Sequence, residues 1–295
     1  MSNWTASRLP KVRDGLQRLL ADPGSALRAS LARSGRDDTA AQLDHVARSL
    51  GVADLYWVAP EMAALSVGAA ETIPQVRWTD ADRPSTHGLL VFDGGIGTLD
   101  YENVPIPVDA VSWGPHPQGL LVSYYVARGR LEDQLAERGA RIDTTAVPPL
   151  VPIAGQSLAV DDNWQDPGEL PDRDRTVLTT LAAAWALMQQ PTVIDRVPVE
   201  VERKIRAAYG RAGRGDPEVT LVELRRQYRL SGQPPLDPDQ PGRHYKHRWI
   251  VRGHWRDQAY GPQRSLRRPT WIASHVKGPE GADLLETATV NVWRR

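Results

Sequence analysis

The segments that link the apolar runs in the middle of this chain limit the kind of sheet that it can form. Gly88–Phe92, Ala110–Trp113 and Gly119–Val126 have the composition of buried strands. Parallel neighbours need a crossover of about a dozen residues, usually a helix, whereas antiparallel neighbours need only a turn. These links are too short for repeated crossover helices. We therefore predict an α+β protein with a mixed, mainly antiparallel sheet.

Helical periodicity occurs on both sides of this strand-rich stretch. Residues 7–50 carry apolar side chains at i, i+3 and i+4, which predicts two helices in a helical N-terminal part. Pro60 is placed to open a further helix, and Arg173–Gln190 has the clearest apolar stripe. Residues 145–172 contain five prolines and are predicted to form a surface loop.

The composition divides the chain into three parts. Residues 1–145 are predicted to be a helix-rich α+β part, residues 146–217 an acidic loop and helical connector, and residues 218–295 a basic β subdomain. In the last part, a four-stranded antiparallel sheet is predicted from Val219–Leu224, Lys246–Gln258, Thr270–Lys277 and Thr287–Trp293. Because a small basic sheet buries little surface alone, the three parts can pack as one unit.

The C-terminal residues 241–295 concentrate the unusual chemistry. They contain eleven Lys/Arg against four Asp/Glu, a net charge of +7, in a chain that is formally neutral. Four of the seven histidines and four of the ten tryptophans also lie there. This asymmetry indicates a basic surface for a phosphate-bearing partner.

The segment Lys246–Gln258 is predicted to be a strand, because β-branched and aromatic residues punctuate it. Alternation places Trp249, Val251 and Trp255 on one, buried face. The opposite face receives Arg248, Ile250, Arg252, His254, Arg256 and Gln258. Gly253 marks a bulge or a close approach to the backbone.

This pattern predicts a nucleic-acid-binding surface, with RNA and DNA both open. Guanidinium groups match phosphate oxygens, and aromatic rings can stack on exposed bases. His254 can transfer protons near neutral pH, so His254, Arg252 and Arg256 are the candidate catalytic residues of a metal-independent ribonuclease or other nuclease. The candidate binding residues are Arg248, Arg264, Arg267, Arg268, Tyr260 and Lys277.

Other interpretations stay open. The arginines can form a solvated face over a tryptophan core, or pair with the acidic half of the protein in a protein-interaction module or homo-oligomer. They can also clamp a small anionic substrate in a pocket of a few hundred Å³. The loop Asp93–Gly97 is glycine-rich but lacks the lysine of a phosphate-binding loop, so a hairpin turn is predicted there.

Several classes of site and location are not expected. The chain has no cysteine, which excludes disulfides, thiolate nucleophiles and cysteine-ligated zinc and fits a cytoplasmic protein. His247 and His254 are seven residues apart, which is poor spacing for a shared metal on one strand, so no metal or cofactor is expected. No apolar run approaches the roughly 20 residues that span a bilayer, so no membrane partner is expected.

Several segments resemble an uncharacterised family of actinobacteria and their phages and plasmids. They are Trp57–Met62, Pro84–Val91, Ala184–Pro191, His247–Arg256 and Trp271–Pro279. The resemblance spans most of the chain but supplies no activity or catalytic residue. It implies a mobile-element or host-defence setting, in which a growth-inhibiting toxin or a regulator would fit.

Overall fold

The computed structural model of this protein describes residues 4–25, 27–29, 37–101, 104–139, 147–225 and 249–277. The chain divides into a first unit, Met1–Leu224, and a second unit, Arg225–Arg295. The boundaries predicted at residues 145 and 217 therefore do not separate units. The reason is that Thr220–Leu224, which we expected in the basic sheet, pairs with strands of the first unit instead.

The helices and strands of the first unit follow the predicted order closely. The helices are α1 (Leu9–Ala21), α2 (Asp37–Gly51), α3 (Pro60–Ala70), α4 (Arg128–Glu137), α5 (Asp172–Met188) and α6 (Arg203–Arg211). The strands are β1 (Asp54–Val58), β2 (Gly88–Phe92), β3 (Thr98–Tyr101), β4 (Val104–Pro107), β5 (Ala110–His116), β6 (Gly119–Ala127), β7 (Leu150–Leu158), β8 (Ile194–Pro198) and β9 (Thr220–Leu224).

Seven of these strands form one mixed sheet in the order β7-β6-β5-β2-β1-β9-β8. The pairs β1–β2 and β1–β9 are parallel, and the other four pairs are antiparallel. Helix α3 supplies the crossover between β1 and β2 that parallel strands require. The predicted α+β class with a mixed, mainly antiparallel sheet is confirmed.

Both faces of this sheet are covered, because alternate residues of β1 join different cores. Leu55 and Trp57 pack with buried residues of α1 and α2, such as Leu16. Tyr56 instead stacks on Trp113 of β5 at 6.2 Å between ring centroids. The ring of Trp113 in turn meets Trp185 of α5 edge-on at 4.9 Å, which places α5 on the second face.

The predicted loop over residues 145–172 is wrong in part, because it contains β7. This strand lies at one end of the sheet and pairs with β6 along its length, with a register shift between Tyr124 and Tyr125. Proline is tolerated in an edge strand, where one side of the backbone needs no partner. Pro152 therefore fits β7, although it argued against a strand in the sequence.

The glycine-rich loop after β2 does not form the predicted hairpin turn. Gly94, Gly95 and Gly97 have positive φ angles of 97°, 79° and 112°, as a tight turn requires. However, β2 pairs with β5, and the strand that follows the loop, β3, pairs with β4 in a separate two-stranded sheet. The loop therefore connects two sheets.

The second unit contains one long antiparallel hairpin in its described part. Its strands are β10 (Trp249–Val251), β11 (His254–Tyr260), β12 (Leu266–Ile272) and β13 (His275–Lys277), with β10 paired to β13 and β11 to β12. The two ladders share one register, since two residues separate β10 from β11 and two separate β12 from β13. Within the described residues this hairpin replaces the predicted four-stranded sheet; the strand predicted at Thr287–Trp293 lies outside them.

Candidate nucleic-acid interface

The register of β11 and β12 sorts the hairpin side chains onto two faces. Trp255 lies opposite Trp271, and Arg256 lies opposite Thr270. Because side chains alternate along each strand, one face, here called the tryptophan face, carries Trp255, Asp257, Ala259, Arg267, Pro269 and Trp271. The other, here called the arginine face, carries His254, Arg256, Gln258, Tyr260, Leu266, Arg268, Thr270 and Ile272.

The two faces differ in exposure. On the tryptophan face, Pro269 and Trp271 are buried, and the rings of Trp255 and Trp271 meet at 5.2 Å. On the arginine face, His254, Arg256 and Arg268 are exposed. The predicted sharing of one face by His254 and Arg256 is therefore confirmed. Val251 and Trp255 are only half-buried, so the expectation that they are largely buried is wrong, and the side chain of Trp249 lies outside what the structure describes.

Gly253 permits the close packing of this hairpin. A Cβ atom added at Gly253 would overlap the indole ring of Trp271. The unchanged register across residues 252–253 and 273–274 contains no bulge. Of the two roles predicted for Gly253, a close approach to the backbone is the one that the structure has.

The turn that joins β11 to β12 presents Arg264 at the tip of the hairpin. Gln263 and Arg264 have φ angles of 53° and 56°, a left-handed conformation that non-glycine residues rarely adopt and that costs about 1 kcal/mol or more per residue. Two hydrogen bonds hold the turn: the Arg264 amide donates to the Gly261 carbonyl at 3.1 Å, and the Ser265 amide to the Pro262 carbonyl at 3.2 Å.

The sequence of Tyr260–Arg268 predicts a basic turn or loop, and in the structure this turn is shorter, which changes where two arginines lie. Arg267 and Arg268 belong to β12, opposite Ala259 and Gln258, and not to a loop. They are therefore fixed on opposite faces of a strand, and only Arg264 lies in the turn. The alternation of side chains on both sides of Pro269 was the sequence signal for a strand here, because an edge strand accepts proline.

The described residues of the hairpin carry a large excess of positive charge. Residues 249–277 contain six Lys/Arg and a single acidic residue, Asp257. Arg252, Arg256, Arg264, Arg267 and Arg268 are all exposed, and none of them forms an ion pair with a residue that the structure describes. Five guanidinium groups thus keep most of their donors available for an anion.

The three aromatic rings of the hairpin that the structure describes pack against other side chains of the protein. The guanidinium of Arg268 lies over the Tyr260 ring, 5.1 Å from its centroid, and Tyr260 is half-buried. Trp271 is 8% exposed, and Trp255 packs edge-on against it. None of these three rings lies freely exposed as a base-stacking platform would.

The candidate catalytic residues lie close together in sequence on an open surface. The Nδ1 atom of His254 is 3.1 Å from the carbonyl oxygen of Arg252, and Arg256 donates to the Oε1 atom of Gln258. Arg252 lies in the break between β10 and β11. Of the remaining candidates, Arg248 lies outside the described residues, and Lys277 is described only through its backbone pairing with Trp249.

A cleft in the first unit is the feature that sequence patterns missed. It has a volume of about 1230 Å³ and is lined by residues of α1, α6 and the segment before β7. Basic side chains there face acidic ones: Arg8 pairs with Glu202, and Arg214 with Asp14 at 2.9 Å. None of the five hairpin arginines lines this cleft. Long-range pairs such as Asp14–Arg214 leave no local sequence signal.

Groups of three or more metal-ligating side chains are absent from the part of the chain that the structure describes. In that same part, every helix is too short or too polar to cross a membrane. No protein-family model matches the chain, and no curated protein is significantly similar to it. The resemblance to an actinobacterial and phage family therefore remains a prediction.

Proposed function

We propose that this protein binds nucleic acid through the arginines of its C-terminal hairpin. The observation that carries the proposal is the exposure of five arginines without an ion-pair partner among the described residues. Phosphate oxygens accept paired hydrogen bonds from guanidinium groups, and each phosphate that is neutralised releases condensed counterions. A surface of this kind therefore favours a polyanion.

The arrangement of the arginines favours a polymer over a small anion. A small-molecule site encloses most of its ligand in a concave pocket. The hairpin instead spreads its arginines over both faces and the tip of a ribbon whose β11 strand alone spans about 23 Å. A ribbon of this length can contact several phosphates at once, whereas a small anion would use only one or two of the arginines.

Binding with a steep dependence on salt is the expected result. Fluorescence anisotropy with labelled random RNA and random DNA would measure the dissociation constant between about 50 and 200 mM salt. Each neutralised phosphate should contribute about −0.7 to −0.9 to the log–log slope. Binding that is absent at the lowest salt, or independent of salt, would favour the protein-interaction module or homo-oligomer instead.

Metal-independent cleavage of the bound phosphodiester is a second candidate activity, because His254 and Arg256 share one exposed face. A neutral imidazole could accept a proton from a ribose hydroxyl while arginines stabilise the charge that develops on the phosphoryl group. The His254→Ala variant should then lose RNA cleavage by at least about a hundredfold while it binds RNA as before. Equal cleavage by the folded variant and its parent would remove the catalytic role.

The cytoplasm, in a mobile-element or host-defence setting, is the environment that we propose for this activity. Nucleic acid is accessible there, and a chain without cysteine needs no oxidising compartment. The family resemblance is the support for the setting.

A further inference from the structure

The ribbon shape of the hairpin and the packing of its described aromatic rings restrict the kind of nucleic acid that it can bind. This step rests on the proposed binding of nucleic acid. Proteins that hold single strands combine a basic groove with aromatic rings on which successive bases stack. Here the rings of Trp255 and Trp271 pack against each other, and Arg268 covers Tyr260. Among the hairpin side chains that the structure describes, these three rings are therefore not available as the stacking platform that single-strand recognition uses.

The dimensions of a two-stranded ribbon match one groove of a duplex. Paired strands lie about 4.8 Å apart, and the major groove of B-form DNA is about 12 Å wide and admits such a ribbon. The minor groove of DNA, at about 6 Å, is too narrow for two strands and their side chains. The major groove of an A-form RNA duplex is deep and too narrow for side chains to enter.

The arginine face also has the side chains that this groove requires. Arg256 lies opposite Thr270, and Arg268 lies opposite Gln258, so the two arginines are diagonal neighbours about 7–8 Å apart at Cβ. Arginine forms a bidentate pair with the O6 and N7 atoms of guanine, and glutamine with adenine. Two of the other exposed arginines, Arg264 at the tip and Arg267 on the tryptophan face, lie off the arginine face and can contact phosphates.

We infer that the partner is double-stranded DNA and that the arginine face of the β11–β12 hairpin enters its major groove. Arg256 and Arg268 contact base edges, while Arg264 and Arg267 contact the flanking phosphates. The preference for DNA over RNA follows from groove width, and it sets aside the second candidate activity, because DNA has no ribose 2′-hydroxyl for His254 to deprotonate.

Competition among four probes of one sequence, namely a DNA duplex, an RNA duplex, single-stranded DNA and single-stranded RNA, tests the partner. The full-length protein should bind a DNA duplex of about 20 base pairs at least tenfold more tightly than the RNA duplex or either single strand. Equal or tighter binding of the RNA duplex or a single strand would overturn this inference and leave the proposed function intact. Absence of binding to every probe would overturn both.

Methylation by dimethyl sulfate tests the groove, because the reagent modifies guanine N7 in the major groove and adenine N3 in the minor groove. At saturating protein, guanine N7 should be protected while adenine N3 stays reactive. The Arg256→Ala/Arg268→Ala variant should lose this protection. The Arg264→Ala/Arg267→Ala control, with the same change of charge, should bind more weakly but keep the protection once saturated.

Protection of adenine N3, or the same protection pattern in both double variants, would contradict the proposed orientation.

Discussion

Asp14 shows how one carboxylate can connect elements that are distant in sequence. It lies on α1, accepts a hydrogen bond from Arg214 beyond the end of α6, and receives another from its neighbour Arg13 at 2.7 Å. Arg13 is buried and also donates to the Leu50 carbonyl at the end of α2 and to the hydroxyl of Tyr209 in α6. The network therefore holds three helices together.

The protonation of Asp14 should link this network to pH. Burial by itself raises the pKa of Asp14, but hydrogen bonds with Arg214, Tyr209 and Arg13 and the positive charge of Arg13 outweigh it, so the pKa is lowered below 3.8. A carboxyl with a lowered folded-state pKa stabilises the fold fully above its unfolded pKa. That stabilisation is lost as the pH falls through the lower, folded-state value.

The Asp14→Asn variant should lower the free energy of unfolding by about 1–3 kcal/mol at pH 7, since it leaves buried Arg13 without its counter-charge. Because Arg214 is exposed, solvent screening reduces its share of this effect. Urea unfolding at pH 7 and at pH 3 measures the difference from the parent, which should shrink at the lower pH. A difference that widens at pH 3 would show that the network does not act through the Asp14 charge.

At the scale of elements, the hairpin depends on the missing side chain at Gly253. Gly253→Ala should displace the Trp271 indole and reduce the thermal stability of the second unit, because its Cβ atom would overlap that ring. The indole N–H signal of Trp271 in ¹⁵N-tryptophan spectra, assigned with Trp271→Phe, should shift. Gly51→Ala offers a control, since its Cβ atom would meet only the end of the flexible Gln17 side chain. A Trp271 signal that stays in place in Gly253→Ala would contradict this packing.

Elements with strong local periodicity could be predicted from the sequence, and long-range pairings could not. The bounds of β2 agree with the prediction residue for residue, because a continuous apolar run ended at a clear turn. β7 was hidden by its prolines, which only an edge position permits. β9 was predicted as a strand but placed in the wrong sheet, since alternation along one segment carries no information about its partner strand.

The candidate site, too, could be predicted from the sequence only in part. Alternation correctly placed His254 and Arg256 on one face, because period two does not depend on the partner. The positions of Arg267 and Arg268 on a strand, and the covering of Tyr260 by Arg268, follow from the register of the hairpin. That register is set by a turn in which Gln263 and Arg264 adopt the left-handed conformation, and no sequence signal predicted this conformation.

At the scale of the whole molecule, charge separates the chain into two regions. Residues 241–295 carry a net charge of +7 and the chain as a whole carries none, so residues 1–240 are net acidic. An acidic region weakens non-specific attraction to a polyanion, so specific affinity must come from the basic region. The account therefore requires that the hairpin arginines, and not basic residues elsewhere, set the salt dependence of binding.

The salt dependence of binding in two matched variants tests this requirement most directly. One variant combines Arg264→Ala, Arg267→Ala and Arg268→Ala in the hairpin. The control combines Arg48→Ala, Arg203→Ala and Arg211→Ala, which removes three exposed arginines of the first unit that form no ion pair with described residues. Both variants lose three charges, and circular dichroism would check that both are folded.

The log–log slope of affinity against salt should become shallower by about 1.4 to 1.8 in the hairpin variant, because two of its three lost arginines, Arg264 and Arg267, contact phosphates, and should stay near the parent value in the control. An unchanged slope in the hairpin variant, or an equal change in both, would contradict nucleic-acid binding by the hairpin arginines.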